Sequence, residues 1–381
     1  MKYEELFEPY TFKNGVTVKN RIVIPPMTEA SSFYDGTIST DELEYFKKRG
    51  GQTGLFIAPA AYIMPSGKGF EGQLSVSDDR FIPRLSEMAK NMQQNETKAI
   101  IQLFHAGRLT NSRILRGGSV TAPSAVPSER SGSETPHRLG EEEIENIIDN
   151  FADATRRAIF AGFDGIELHG AGGYLLSEFF SPHANRRSDK WGGSLNKRMT
   201  FIIQLVDRIN QTIKKYTKKP FIFGYRFSPE EISNPGFRIN DTLRLVDVLS
   251  NLPLDYLHVS QRYVWRRSSV PELADESLIV KIQRVVNGRV PLIGVGSIAT
   301  PDQAVNVIQS GLDFVALGRE LLIDPDWVTK VKQGHESEID YSISEKSIKQ
   351  RAINPAMWKY ITTNPNDDPR NLFKDIDHFW K

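Results

Sequence analysis

EEEIENIIDNFADATRRAIFAGFDGIELHG (residues 141–170) carries two periodicities back to back. Ile144, Ile147, Ile148, Phe151, Ala154, Ala158 and Ile159 fall on one stripe, which predicts an amphipathic helix over 141–162. From Asp164 to Gly170 the pattern changes to a short, nearly continuous apolar run, as in a strand buried on both faces. A helix that feeds directly into such a strand is the repeating unit of a parallel sheet.

The same alternation runs through the chain. Strand-like runs are RIVIPPM (21–27), GLFIAPA (54–60), KAIIQLFH (98–105), DGIELHG (164–170), PFIFGYRFS (220–228), DYLHVS (255–260), PLIGVGS (291–297) and DFVALGR (313–319). Helical patterns lie between them; TPDQAVNVIQSG (300–311) has a Thr cap, Pro at the first helical position and Gly at its end. Eight such units favour an α/β fold closed into a (β/α)8 TIM barrel. The alternative is an open doubly wound sheet, but no G-x-G-x-x-G follows the first strand. YTFKNGVTVKN (10–20) reads as a β-hairpin turning at Asn14-Gly15 and suited to capping the barrel floor. With no composition break, 1–335 is expected to be one barrel and 336–381 a polar C-terminal extension without an assigned role.

The 381 residues are 39% hydrophobic and 25% charged with a net charge of +1, which gives no field for nucleic acid or an anionic membrane. The absence of cysteine excludes disulfides, iron–sulfur clusters and thiolate zinc sites. The start, MKYEELFEPY, lacks a signal pattern and no apolar run is long enough to span a bilayer. The expectation is a soluble cytoplasmic protein acting on a small molecule, with a homo-oligomer compatible with the sequence. His137, His183, His258, His335 and His378 show no ligand spacing, so no metal site is expected.

Barrel chemistry belongs at the carboxyl ends of the strands. Those ends supply Pro26, Met27 and Thr28, then Ala58 to Ala60, Gln102 and His105, His169, Arg226, and finally Gly296, Ser297, Gly318 and Arg319. Bare glycine turns after units seven and eight suit a phosphate, and Arg319 adds charge-assisted bonds; the competing reading is ordinary tight turns. Arg226 either pairs with an interior carboxylate, Glu167 being the candidate, or faces an electron-rich ligand. His105 reads as a histidine bonded to loop backbone.

NRIVIPPMT (20–28), IIQLFHAGR (100–108), GFDGIELHGAGGYLLSEFFSPHANRRSDKWGGSLNKR (162–198), GYRFSPEE (224–231), VGSI (295–298) and ALGRELLIDP (316–325) resemble the old yellow enzymes, the flavin-dependent ene-reductases. The similarity runs from about Leu6 to Val331 and is nearest to the bacterial NADH-dependent flavin oxidoreductases. It implies non-covalent FMN on the carboxyl face, reduced by NADH or NADPH. Pro26, Met27 and Thr28 would line the isoalloxazine, with Thr28 tuning it through a hydrogen bond. Ala60 and Gln102 would meet the ring's polar edge, Arg226 its N1/O2 side, and Gly296, Ser297, Gly318 and Arg319 its phosphate.

In this family two donors after strand four hold the carbonyl oxygen of an activated alkene, and a tyrosine protonates the α-carbon after hydride arrives at the β-carbon. His169, beside the flavin, matches the first donor and Tyr174 the acid; Gly172 occupies the second donor position without a side chain. That gap leaves room for a reductase or oxidase acting on quinones, nitro compounds or oxygen, and for a flavin protein of low turnover. A non-redox lyase or isomerase lacks a catalytic lysine or carboxylate pair at the strand ends. The related dienoyl-CoA reductases need a cluster that a cysteine-free chain does not hold.

Overall fold

The computed structural model describes residues 2–363. Eight parallel strands close into a barrel: β1 (Ile22–Ile24), β2 (Leu55–Tyr62), β3 (Lys98–Phe104), β4 (Gly165–Gly170), β5 (Ile222–Phe227), β6 (Tyr256–Val259), β7 (Leu292–Val295) and β8 (Phe314–Ala316). Helices follow them on the outside, among them α1 (Thr40–Arg49), α2 (Ile82–Met92), α3 (Glu141–Ala161), α4 (Thr200–Tyr216), α5 (Ile239–Leu249), α6 (Leu278–Val286) and α7 (Pro301–Gln309). The α3 helix stops where Gly162 turns left-handed at φ 87°, and α7 starts where the Thr300 hydroxyl accepts from the Gln303 amide at 3.2 Å. The TIM barrel expected from the alternation is therefore the fold.

Strand lengths differ from the apolar runs for identifiable reasons. β1 ends at Ile24 because Pro25 and Pro26 have no N–H for a ladder. β2 instead runs on to Tyr62, crossing Pro59 with a register shift between Ile57 and Ala60, the irregularity a strand proline requires. Alternation along the strands sends Leu55, Ile57, Ile100, Ile222, Tyr256, Ile293 and Phe314 into the barrel. The hairpin pairs Tyr10–Thr11 with Thr17–Val18 and pushes Phe12 into this interior cluster, its ring stacked on Phe314 at 5.6 Å. A larger apolar core separates the sheet from its helices.

After α8 (Trp327–Gln333) the chain does not leave the molecule. Ile339, Ile343 and Ile353 are buried in the main core, as are Met357, Trp358 and Ile361 of α9 (Pro355–Thr363). The segment expected to be a polar extension thus packs on the barrel as far as it is described; His378 and Trp380 lie outside the described residues. Among the described residues, no helix is long and apolar enough to cross a membrane.

Candidate active site

The carboxyl ends of the strands gather the expected residues into three adjoining groups. The first surrounds a cavity of about 350 Å³ whose walls include Pro26, Met27, Thr28, Gly296, Ser297, Gly318 and Arg319. Gly296 has φ 129°, and a Cβ there would stand 2.7 Å from the Gln261 carbonyl oxygen. A Cβ on Gly318 would meet the Met27 sulfur at 3.2 Å. Both turns therefore present bare backbone to the cavity. Arg319 Nη2 donates to the Ser297 hydroxyl at 3.3 Å, and that hydroxyl donates to the Arg262 carbonyl at 2.9 Å.

Among the further walls that no sequence pattern announced, Met357, Tyr360 and Ile361 all come from α9. The contact joins positions more than 300 residues apart, and no local pattern announces it. Because Tyr360 is 42% exposed, Tyr360→Asp leaves the core intact while placing a negative charge beside the two glycine turns expected to hold the phosphate. FMN retention is expected to weaken ~10-fold at low ionic strength and to recover with salt. Titrating released flavin fluorescence at two salt concentrations checks this.

The second group is aromatic. His169, Tyr174 and Phe104 meet edge to face, with ring centroids 5.1 Å apart for His169–Tyr174 and 4.5 Å for Phe104–Tyr174. Ala60 packs into the same cluster. Gly172 and Gly173, at φ 69° and 79°, let the chain turn back over β4 so that Tyr174 returns to His169. A Cβ on Gly172 would lie 3.2 Å from Tyr174 Cε2 and 3.7 Å from His169 Cε1, so this position does face the gap between the two. The Gly172 N–H donates to the Ser228 hydroxyl at 3.0 Å.

Protonation follows from burial. His169 is 8% exposed; burial, with the Arg226 charge adding to it, pushes its pKa down to about 3. Its Nδ1 accepts from the Ala171 amide at 3.3 Å, so the neutral ring carries its proton on Nε2 as a donor. Burial raises the Tyr174 phenol, with the charge and hydrogen bond of Arg130 opposing it, so it stays protonated at neutral pH. With His169 neutral down to acidic pH, binding of a neutral carbonyl ligand is expected to be flat between pH 5 and 8. Titrating such a ligand by its perturbation of the flavin spectrum is the check; an inflection near 6.5 would mean a charged His169.

The third group is polar and interior. Gln102 Nε2 donates to Glu167 Oε1 at 2.6 Å, and His258 Nδ1 bonds Glu167 Oε2 at 2.9 Å. Arg226 stands beside His169 and His258 in register, with Nε buried and lacking a hydrogen-bond partner among the described residues. Arg226 is charge-coupled to Glu167, so the two sequence alternatives for it are compatible. The sequence gives His258 no ligand spacing, but Tyr256 and His258 alternate with Leu257 and Val259, and that alternation turns His258 inward to Glu167. His105 does bond loop backbone, its Nδ1 accepting from Gly107 at 3.1 Å. No group of three metal-ligating side chains occurs among the described residues.

The parallel eightfold barrel thus carries, at the carboxyl ends of its strands, glycine turns at units seven and eight and the paired rings of His169 and Tyr174. The chain belongs to the NADH:flavin oxidoreductase / NADH oxidase family, whose model matches residues 5–338. It is an FMN-dependent NAD(P)H oxidoreductase.

A probable NADH-dependent flavin oxidoreductase of Bacillus subtilis is 43% identical over 363 residues, 94% of this chain and 96% of that protein. An NADH:acrylate oxidoreductase of Vibrio harveyi is 40% identical over 330 residues, which make up 86% of this chain but 33% of that protein. The old yellow enzyme homologue of Zymomonas mobilis superposes with a TM-score of 0.77 at 23% identity, covering 96% of this chain and 98% of that one, and shows the same fold. The cavity's bare turns, its cationic neighbours and the buried Arg226 Nε fit FMN.

Proposed function

We propose that the protein reduces alkenes conjugated to a carbonyl group, at the expense of NADH or NADPH. The observation that carries this reading is the placement of a neutral donor, His169, against a protonated, partly buried phenol, Tyr174, with Gly172 facing the gap between them. Bound FMN supplies the hydride that NAD(P)H provides and the β-carbon receives. The chain's residues do the rest. His169 Nε2–H holds the carbonyl oxygen and stabilises the negative charge that develops on it. Tyr174 Oη gives its proton to the α-carbon and completes a two-electron, two-hydrogen reduction. Pro26, Met27 and Thr28 would line the ring, Ala60 and Gln102 would meet its polar edge, Arg226 its N1/O2 side, and Gly296, Ser297, Gly318 and Arg319 would hold the phosphate.

A second reading is favoured by Gly172, which offers no side-chain donor to that oxygen. The Bacillus and Vibrio relatives share NADH oxidation in their names, while only the Vibrio protein, three times the length of the shared barrel, specifies an acceptor. Electrons from the flavin would then pass to quinones or nitro compounds, which develop no enolate. Anaerobic reduction by each nicotinamide, followed by mixing with an enone or a quinone, separates the readings. Reoxidation by quinone alone, with the enone no faster than buffer, would sink the first.

Gly172→Asn tests the same gap. Asn adopts left-handed backbone more readily than most residues, and its side chain would start between His169 and Tyr174. The variant is expected to bind phenols more tightly and reduce enones ~10-fold faster, less than the ~10²–10³ of a lone oxyanion donor because His169 already serves that oxygen. Phenol affinity and enone kcat, measured with the flavin bound, decide it; no gain in either would mean that another donor already serves the oxygen.

A further inference from the structure

Four neighbouring strands turn a polar layer into the barrel beneath the site. Their registers align Gln102 with Glu167, His169 with Arg226, and Arg226 with His258. At its centre the Glu167 carboxylate is 0% exposed and accepts from both Gln102 and His258. Burial alone would raise this carboxyl, but His258, Arg226 and Gln102 outweigh it and hold it below the ordinary range. Burial likewise keeps His258 neutral, donating through Nδ1. The layer thus holds one buried anion, Glu167, against one partly buried cation, Arg226.

Alkene reduction as described gives Glu167 no proton to move and no substrate atom to touch. An apolar side chain would fill the same level of the barrel without the desolvation cost of a carboxylate. What the carboxylate does have is a fixed position behind the cation that faces the flavin. We propose that Glu167 is a positioning residue that sets the reduction potential of the bound flavin, by opposing the field of Arg226 and by locking Gln102 and His258. This rests on the reading that Arg226 lies at the N1/O2 edge. Reduction adds negative charge to that edge, which Arg226 favours and Glu167, behind it, disfavours.

The test is the two-electron midpoint potential of the FMN-loaded full chain. Glu167→Gln keeps the shape and removes the charge, so the ratio of reduced to oxidised flavin at a fixed potential should rise at least tenfold, ~30 mV. Glu167→Asp keeps the charge and should stay within ~3-fold of the parent ratio, ~15 mV. His258→Leu removes a neutral donor, leaves the carboxylate less screened and should lower the potential. A Glu167→Gln potential that is unchanged or lower, or equal shifts in the Gln and Asp variants, overturns the proposal. If Glu167→Gln does not fold, His258→Leu carries the test: a fall supports the proposal, and no change or a rise overturns it. Arg226→Gln, measured with excess FMN, separates the two layers of the argument. If its potential does not fall, the placement of Arg226 fails; if it falls while Glu167→Gln does not move, only the role of Glu167 fails.

Discussion

Tyr174→Phe is expected to slow alkene reduction by ~10²- to 10⁴-fold, the usual worth of a positioned general acid, while NAD(P)H oxidation proceeds nearly as before. The asymmetry follows from where the hydroxyl is used. Nicotinamide gives up a hydride and needs no proton from the chain, whereas the α-carbon of the alkene must receive one. Burial raises the phenol, so it holds its proton until an acceptor as basic as a carbanion arrives. Losing the oxygen leaves the ring itself in place, because Tyr174 is fixed by edge contacts with Phe104 and His169 that do not involve the hydroxyl. Stopped-flow measurement of each half-reaction checks the expectation. Equal damage to both would make Tyr174 a shape-giving residue instead of an acid.

Arg226→Ala should weaken FMN binding ~10- to 150-fold, as expected when a hydrogen bond to a charged group worth ~1.5–3 kcal/mol is removed. The loss should be greater for reduced than for oxidised flavin, since only the reduced ring carries the extra charge. The variant also leaves Glu167 without its cation, a buried carboxylate held by Gln102 and His258 alone. Part of the effect will therefore appear as lowered thermal stability, which a melting curve of the flavin-free protein separates from lost binding. Titration with oxidised and with anaerobically reduced FMN reads the asymmetry. Parent-like affinity for both forms would confine Arg226 to pairing with Glu167.

The barrel was legible because its signal is repeated eight times, each time as a local pattern: a stripe at helical spacing, then a short apolar run. The two glycine turns were legible because they end the last two apolar runs, and Gly296 and Gly318 prove to be hemmed in by neighbouring atoms. Ends of strands were less so. Pro25 and Pro26 cut β1 short, while Pro59 did not stop β2, since a bulge absorbed the missing N–H. The remainder was invisible for a different reason. Glu167 and His258 are 91 residues apart, and α9 reaches the cavity across nearly the whole chain. Such contacts exist only once the sheet has closed, so no window of sequence contains them.

The cavity also straddles the barrel's closing seam. Pro26, Met27 and Thr28 follow β1, the first barrel strand to leave the ribosome, whereas Gly296, Ser297, Gly318 and Arg319 follow β7 and β8, the last. These meet only when β8 docks on β1, a junction of two aligned pairs, Val315 with Ile22 and Ala316 with Val23. A nascent chain with seven barrel strands lacks Gly318 and Arg319 and has nothing to bring Gly296 against Pro26. FMN held between these two sides would bind the closed ring and not its open precursors, and by mass action would add RT ln(1 + [FMN]/Kd) to closure alone.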